Sequence, residues 1–153
     1  MQRFSMVDIS QKGIISREAS AVGEIRLKPS TIKRLRSGGI AKGDAVAAAE
    51  VAAIMAAKNT PHLLPFCHSI PLTTVRTKHS FQGNLLRVES YVKGLARTGV
   101  EMEALTAAST YLLTMWDMVK QYEKDSKGQY PSTIITNLRV TKKIKQTIGI
   151  RRC

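Results

Sequence analysis

The sequence predicts an α+β fold, a two-layer sandwich in which helices cover one face of an antiparallel four-stranded sheet. Three observations lead to this prediction. An alternating stretch is followed by two helical stretches, two strand-like stretches are joined by a Gly-Asn pair, and a long helix precedes a last strand. The order is β-α-α-β-β-α-β. With the first two helices counted as one, this order is the split βαβ pattern of the ferredoxin-like sandwich.

One strand and two helices are predicted in the first half of the chain. Residues from about 18–28 alternate enough for a half-buried strand. A short helix then begins with Ser30 as its N-cap. The second helix follows Asp44, another good N-cap residue. It continues through an alanine-rich stretch to about Lys58, because alanine is the best helix former.

A loop and a hairpin are predicted next. Pro61 and Pro65 interrupt helical hydrogen bonding and therefore place a loop before the strands. Two strands follow over about 72–82 and 85–96. The Gly-Asn pair between them is a signal for a tight turn, so the two strands are expected to pair as neighbours.

A long helix and a final strand are predicted in the last third of the chain. The helix covers about Val100 to Lys124, and the strand covers about Ser132–Lys142. We expect the 153 residues to form a single domain, since a chain of this length can bury one core. Residues 1–10 and 143–153 are expected to be its flexible ends.

Composition excludes several classes of protein. No apolar run reaches the roughly 18 residues that a membrane-spanning helix needs. The N-terminus lacks the apolar region of a secretory signal. The two cysteines, Cys67 and Cys153, do not suggest a disulfide framework, because one of them is the last residue. We therefore expect a protein of the reducing cytoplasm.

The charge is strongly positive, since 24 Lys and Arg against 11 Asp and Glu give a net charge of +13. Such an excess favours a polyanionic partner: nucleic acid, a membrane surface or a phosphorylated small molecule. Composition does not choose among them. The stretch from Arg139 to Arg152 is basic and has no acidic residue, so it is either a solvated tail or a segment that attracts phosphates.

The segment Lys42-Gly43-Asp44 is a candidate phosphate site. It directly precedes a predicted helix, whose free N–H groups and positive dipole end favour anions, and the lysine adds a full charge. The alternative is an exposed loop in which Asp44 serves only as a helix cap. Taken alone, the segment favours the alternative.

The pair Cys67-His68 lies between prolines and a predicted strand. Cysteine and histidine together suggest metal binding or nucleophilic catalysis. However, His62 and His79 do not complete a zinc pattern with this pair, so no metal site is predicted. A buried cysteine beside a hydrogen-bonding histidine is the simpler interpretation.

The long helix carries the most informative residues. Glu101 and Glu103 lie in its first turn, where the helix dipole stabilises carboxylates in any case. Asp117 and Lys120 are three residues apart and therefore neighbours on one face, as in an ordinary surface ion pair. Yet residues 111–119 are strongly apolar, which predicts a partly buried Asp117. A partly buried carboxylate beside a lysine is suited to acid–base catalysis.

The length of this helix separates its two ends. Glu103 and Asp117 are fourteen residues apart, which is about 21 Å along an α-helix. Two side chains at that separation cannot both contact one small ligand within a single chain. If both are functional, the active site combines residues of more than one subunit, so we expect an oligomer.

These segments together resemble the molybdenum cofactor biosynthesis protein C family, the cyclic pyranopterin monophosphate synthases. The resemblance covers about residues 6–142, nearly the whole chain. The string from Thr98 to Ala107 is long and specific. The matching strings, in family order, are Met6–Ser10, Arg17–Ala19, Lys42–Asp44, Ile54–Thr60, Leu64–His68, Thr98–Ala107 and Asp117–Lys120.

The resemblance implies an activity and its partners. Family members are lyases that convert a cyclised dihydro-GTP to cyclic pyranopterin monophosphate and release pyrophosphate. A radical SAM GTP cyclase supplies this substrate in molybdenum cofactor (molybdopterin) biosynthesis. The resemblance also implies a homohexamer built as a trimer of dimers. This assembly agrees with the oligomer expected from the length of the helix. No resident cofactor or metal site is implied, although Mg²⁺ could accompany the phosphates of the substrate.

The resemblance also implies roles for single residues. Asp117 and Lys120 look like the acid–base centre, and Lys42 looks like a further catalytic lysine. Residues expected to bind substrate are Phe66, Cys67, His68, Glu101, Met102, Glu103, Lys58 and Arg17. Among these, Met102 and Glu103 are expected to read the guanine-derived ring and Arg17 to hold phosphates.

Two features depart from the family pattern. Ser69 follows the Cys-His pair where the family usually has proline. The usual Gly-Gly-Lys-Ser-Gly tail is replaced by a basic stretch in which Lys142, Lys143 or Lys145 could take over its phosphate contacts.

The main alternative is an RNA-recognition domain, which also places a basic surface on a ferredoxin-like sheet. Such domains stack bases on aromatic side chains of the central strands. The first predicted strand has no aromatic residue, and the third has only Tyr91. The sequence signature of these domains is also absent, so nucleic-acid binding is not expected.

Overall fold

A computed structural model describes residues 3–148, and its eight elements form the predicted α+β sandwich. The expected flexible ends at residues 1–2 and 149–153, with Cys153 and the end of the basic tail, lie outside the described residues. The elements are β1 (Ile15–Arg26), α1 (Pro29–Arg36), α2 (Ala45–Lys58), α3 (Thr60–Leu63), β2 (Leu72–Gln82), β3 (Leu85–Ala96), α4 (Glu101–Glu123) and β4 (Ile134–Gln146).

The four strands form one antiparallel sheet in the order β2-β3-β1-β4. The bounds of β2 and β3 agree with the predicted strands. The turn between them is tight, as predicted, and Gly83 has the positive φ of 60° that such a turn requires. No helix in the described part of the chain combines the length and apolarity of a membrane span.

Three local predictions were wrong. Ser30 does not cap α1, because Pro29 fixes a helical φ and starts the helix two residues earlier, with Lys28 as N-cap. The loop predicted around Pro61 contains the short helix α3, in which a proline is accommodated in the first turn. β4 continues past Lys142, so residues 143–146, predicted as part of a flexible end, pair with β1.

Small side chains allow the helices to pack closely on one face of the sheet. The side chain of Asp44 accepts a hydrogen bond from the N–H of Ala47 at 3.0 Å and caps α2, as predicted. The alanines of α2 then face the buried alanines of α4. At Gly23 of β1, a Cβ atom would lie only 2.6 Å from Leu112 Cδ1, so glycine lets α4 approach the sheet.

The last residue of α4, Glu123, is a buried carboxylate that joins three segments. It accepts hydrogen bonds from the N–H of Lys28 at 3.1 and 3.2 Å, from the hydroxyl of Thr31, and from the hydroxyl of Thr133 at 2.6 Å. Since its charge is fully enclosed, these donors replace the water that it has lost. Glu123 therefore fixes the end of α4 to the β1–α1 connection and to the start of β4.

We expect Glu123→Ala to lower the free energy of unfolding by roughly 3 kcal/mol, because three buried donors lose a charged acceptor. The midpoint of urea unfolding should fall while its slope is unchanged. Gln121→Ala, an exposed change on the same helix, is the matched control and should have little effect. Equal midpoints for the two variants would contradict this role of Glu123.

Candidate active site

A cavity of about 320 Å³ opens at the N-terminal end of α4. Its walls come from the segment before β1, the connection between α3 and β2, the connection between β3 and α4, and the first turn of α4. The side chains facing it are mostly apolar, with a few polar groups, as in many sites for small organic ligands. It is lined by Val7, Ile9, Lys12, Phe66, Cys67, His68, Ile70, Thr98, Gly99, Met102 and Glu103.

Glu103 provides the buried charge of this cavity. The residue is only 2% exposed, and within residues 3–148 no donor lies within hydrogen-bond reach of its Oε2 atom. Burial raises the pKa of this carboxyl, and the nearby charge of Glu101 adds to the effect against an opposing backbone hydrogen bond. A free carboxylate oxygen in a mostly apolar cavity is suited to accept N–H groups of a ligand.

Cys67 and His68 both reach the same cavity. Burial raises the pKa of the Cys67 thiol, and the charge of Glu103 raises it further, so this cysteine is not an activated nucleophile. Across residues 3–148, no three His, Cys, Asp or Glu side chains are grouped so that they could hold a metal ion. The pair therefore contributes to the walls of the cavity.

The second group of functional candidates lies towards the other end of α4, where Asp117 is held between two lysines. Lys120 Nζ lies 2.7 Å from Asp117 Oδ1, and Lys42 Nζ lies 2.9 Å from Oδ2. Lys42 Nζ also donates to the backbone oxygen of Asp117 at 2.7 Å. Hydrogen bonds from Lys120 and Lys42 lower the pKa of Asp117 to about 2, and Asp117 in turn raises the pKa of Lys120.

The prediction that Asp117 is partly buried was wrong. Its side chain is 56% exposed, and those of Lys42 and Lys120 are 39% and 45% exposed. The apolar run around it supplies both faces of the helix, and buried positions such as Met115 and Val119 point to the core while Asp117 points outward. The lysines, rather than burial, perturb its pKa.

Tyr122 is a site residue that the sequence did not reveal. Its hydroxyl accepts a hydrogen bond from the N–H of Ala41 at 2.8 Å, and the guanidinium of Arg34 lies 4.9 Å from its ring centre. The hydrogen bond attaches the loop that carries Lys42 to α4, and the Arg34 contact attaches α1 to α4. The two residues are 81 positions apart in sequence, so no local pattern predicts the contact.

The other three predicted binding residues, Glu101, Arg17 and Lys58, do not line the cavity. Glu101, at the start of α4, forms an ion pair with Lys143 of β4, and Arg17 donates from Nη2 to the backbone oxygen of Arg97 at 3.2 Å. Lys58 is exposed at the end of α2 and joins neither the cavity nor the Asp117 cluster. A phosphate contact by Lys143 stays a prediction.

The structure thus has two groups of candidates, joined by one uninterrupted helix. Glu103 and Asp117 both belong to α4, so their separation is the predicted distance of about 21 Å along the axis. Five of the eight predicted substrate-binding residues line the cavity, and both predicted catalytic lysines contact Asp117.

Comparison with known protein families gives this arrangement a context. The model of the MoaC family matches residues 6–146. The chain belongs to the MoaC family. Both groups of candidate residues lie inside the matched range, as do all eight structural elements.

Archaeal MoaC relatives are similar over almost their full length. Three of them carry the name probable cyclic pyranopterin monophosphate synthase. The one from Methanococcoides burtonii is 48% identical, over 97% of this chain and 98% of the relative. The one from Sulfolobus acidocaldarius is 54% identical, over 92% and 98%. The one from Archaeoglobus fulgidus is 49% identical, over 94% and 92%.

The depressed pKa of Asp117 should depend on its two lysines. We expect its carboxyl to titrate near pH 2 and to be ionised at neutral pH. Lys120→Met should move the pKa towards the ordinary value of 3.8, because the larger stabilisation of the anion is lost, and Lys42→Met should do so to a smaller extent. Carbon-13 NMR of the carboxyl group measures both values. Lys127→Met, an exposed loop lysine, is the control, and a titration unchanged in all three variants would refute the cluster.

Tyr122→Phe should loosen the Lys42 loop without unfolding α4. The phenyl ring keeps the packing but removes the acceptor for the Ala41 amide. We expect hydrogen exchange at Ala41 to become faster while the amides in the middle of α4 keep their protection. If exchange at Ala41 is unchanged, the hydroxyl does not anchor the loop.

Proposed function

We propose that this protein is a cyclic pyranopterin monophosphate synthase. It converts cyclised dihydro-GTP, as 3',8-cyclo-7,8-dihydroguanosine triphosphate, to cyclic pyranopterin monophosphate and pyrophosphate in the biosynthesis of the molybdenum cofactor. The observation that carries this proposal is the Asp117 carboxylate held by two lysines in a member of the MoaC family whose relatives have this name. The reaction takes place in the cytoplasm.

The Asp117 cluster has the groups that the phosphoryl step needs. In that step a hydroxyl oxygen of the substrate attacks the α-phosphorus, the bond to the β-phosphate bridging oxygen breaks, and pyrophosphate leaves. Lys42 and Lys120 stabilise the charge on the phosphates, because both lysine side chains contact Asp117 and are more than a third exposed. The hydroxyl proton passes to Asp117, which is ionised at neutral pH.

Substrate binding makes Asp117 a better base. In the free protein both of its oxygens face lysine ammonium groups, which hold its pKa near 2. A triphosphate attracts the same lysines. As they turn towards the phosphates, the carboxylate loses the hydrogen bonds that stabilise its anion, so its pKa rises towards a useful value.

The cavity recognises the ring system of the substrate. The guanine-derived ring presents N–H and amino donors on one edge, and Glu103 offers a carboxylate oxygen without a protein donor. Met102 and Phe66 supply apolar walls for the faces of the ring. His68 and Cys67 complete the polar contacts, while Glu101 pairs with Lys143 and Arg17 contacts the backbone of Arg97.

The complete site combines two protomers. The cavity and the Asp117 cluster are about 21 Å apart along α4, which is too far for one substrate to bridge within a chain. We therefore place the cavity of one protomer next to the cluster of another, in a homohexamer arranged as a trimer of dimers. Solution scattering that shows a monomer with full activity would refute this assembly.

No cofactor is proposed for the protein itself. Mg²⁺ would bind the phosphates of the substrate rather than Asp117, because both carboxylate oxygens already face ammonium groups that repel a cation. A radical SAM GTP cyclase supplies the substrate.

RNA binding on the open face of the sheet is less well supported. Tyr91 is available there, with Arg76 5.7 Å from its ring centre. However, Glu24 pairs with Arg87 at 2.9 Å and Glu18 with a neighbouring lysine at 3.3 Å, so carboxylates neutralise part of this surface. Tight, salt-sensitive RNA binding in a filter assay, without turnover of the cyclised nucleotide, would favour this alternative.

The decisive experiment supplies the cyclised GTP intermediate and measures pterin and pyrophosphate together. We expect Asp117→Asn and Lys120→Ala each to lower the rate by a factor of about 100 or more, because each removes a group that moves a proton or holds phosphate charge. Both changes are on an exposed part of α4, so the fold should be unaffected.

Lys127→Ala is the matched control, since it removes an exposed lysine outside the cluster. Circular dichroism and ultracentrifugation check the fold and the assembly of all three variants. Near-normal turnover in either cluster variant would refute the roles proposed for Asp117 and Lys120.

A further inference from the structure

The segment before β1 forms one wall of the cavity, although the proposed function gives it no role. Val7, Ile9 and Lys12 face the cavity from this segment, opposite Phe66 and the first turn of α4. Residues 7–12 contain no helix or strand. We call these residues the N-terminal wall.

Burial of side chains does little to hold the N-terminal wall in place. Val7 is 69% exposed, and Phe4, just before the wall, is 72% exposed although its ring stacks on Phe66 at 6.2 Å between centres. Inside the wall, the side chain of Asp8 accepts a hydrogen bond from the N–H of Ser10 at 2.8 Å. Such local contacts shape the wall but do not attach it to the sheet, and ordering an exposed backbone is unfavourable.

Arg97 supplies the attachment. This half-buried residue directly follows β3, and its Nη1 atom donates to the backbone oxygen of Ser10 at 2.8 Å and to that of Lys12. Its own backbone oxygen accepts the hydrogen bond from Arg17 of β1. The Arg97 guanidinium therefore joins the N-terminal wall to the end of β3, and the Arg17 guanidinium links Arg97 to β1. These charge-assisted hydrogen bonds are stronger than neutral ones.

We propose that Arg97 is a positioning residue for ligand binding, which holds the N-terminal wall against the cavity. Without it, Val7, Ile9 and Lys12 lose their fixed places opposite Glu103, and the ligand loses one side of its site. The identity of that ligand rests on the proposed function, whereas the attachment of the wall does not.

The test compares Arg97→Met with Arg97→Lys in the full-length protein. Methionine keeps much of the side-chain length but donates no hydrogen bond. We expect it to raise the KM for the cyclised nucleotide by about tenfold and to leave kcat within about twofold, because Arg97 holds a wall that binds the ligand and contacts no group proposed to move a proton. Lysine can donate to both carbonyl oxygens, so Arg97→Lys should restore most of the KM.

Hydrogen exchange gives a readout that does not depend on turnover. In Arg97→Met, the amides of residues 7–12 should exchange at least about tenfold faster, while β1 and β3 keep their protection. Arg87→Met is the matched control. Arg87 is half-buried, as Arg97 is, but it lies within β3 and pairs with Glu24 on the open face of the sheet. The control should change neither KM nor exchange in the wall.

Three other outcomes would each overturn the role proposed for Arg97. Unchanged KM with unchanged exchange in Arg97→Met would overturn the proposal, and so would faster exchange throughout β1 and β3, which indicates a general structural role. A kcat that falls while KM is unchanged would also overturn it. If the wild-type protein does not turn over the nucleotide, the proposed function fails, but exchange still decides whether Arg97 holds the wall.

Discussion

The close packing of α4 on the sheet is the constraint on which the other features depend. Glycine at position 23 and alanines on both α2 and α4 bring the backbones together, so the long helix has a fixed place on β1 and β3. Its first turn then forms the floor of the cavity, and its later turns present Asp117 to Lys42. Glu123 fastens the far end to two connections. One rigid element thus determines where both groups of candidate side chains lie.

The parts of the fold that follow local rules could be predicted from the sequence. The hairpin follows from a Gly-Asn pair whose glycine adopts a positive φ, and the start of α2 follows from the short side chain of Asp44. The bounds of α4 could be predicted because a long stretch of helix-forming residues runs without a glycine or proline. The resemblance to a family then supplied roles for Glu103 and Asp117 that their local patterns alone did not justify.

The remaining features depend on contacts between distant parts of the chain. The exposure of Asp117 was missed because an apolar run does not show which of its residues faces the core. The Tyr122–Ala41 contact and the attachment of the segment before β1 by Arg97 join residues more than 80 positions apart. Periodicity and spacing describe neighbours along one element, and neither describes which loops a completed fold brings together.

The unequal burial of Glu103 and Asp117 on α4 separates two kinds of motion. Glu103 is enclosed by packed side chains, so its geometry can change only if the surrounding core changes. The exposed lysines around Asp117 can exchange rotamers within nanoseconds, with no change in the backbone. In the proposed reaction, a single helix would therefore combine a template of fixed shape with a charged group that follows its ligand through successive steps.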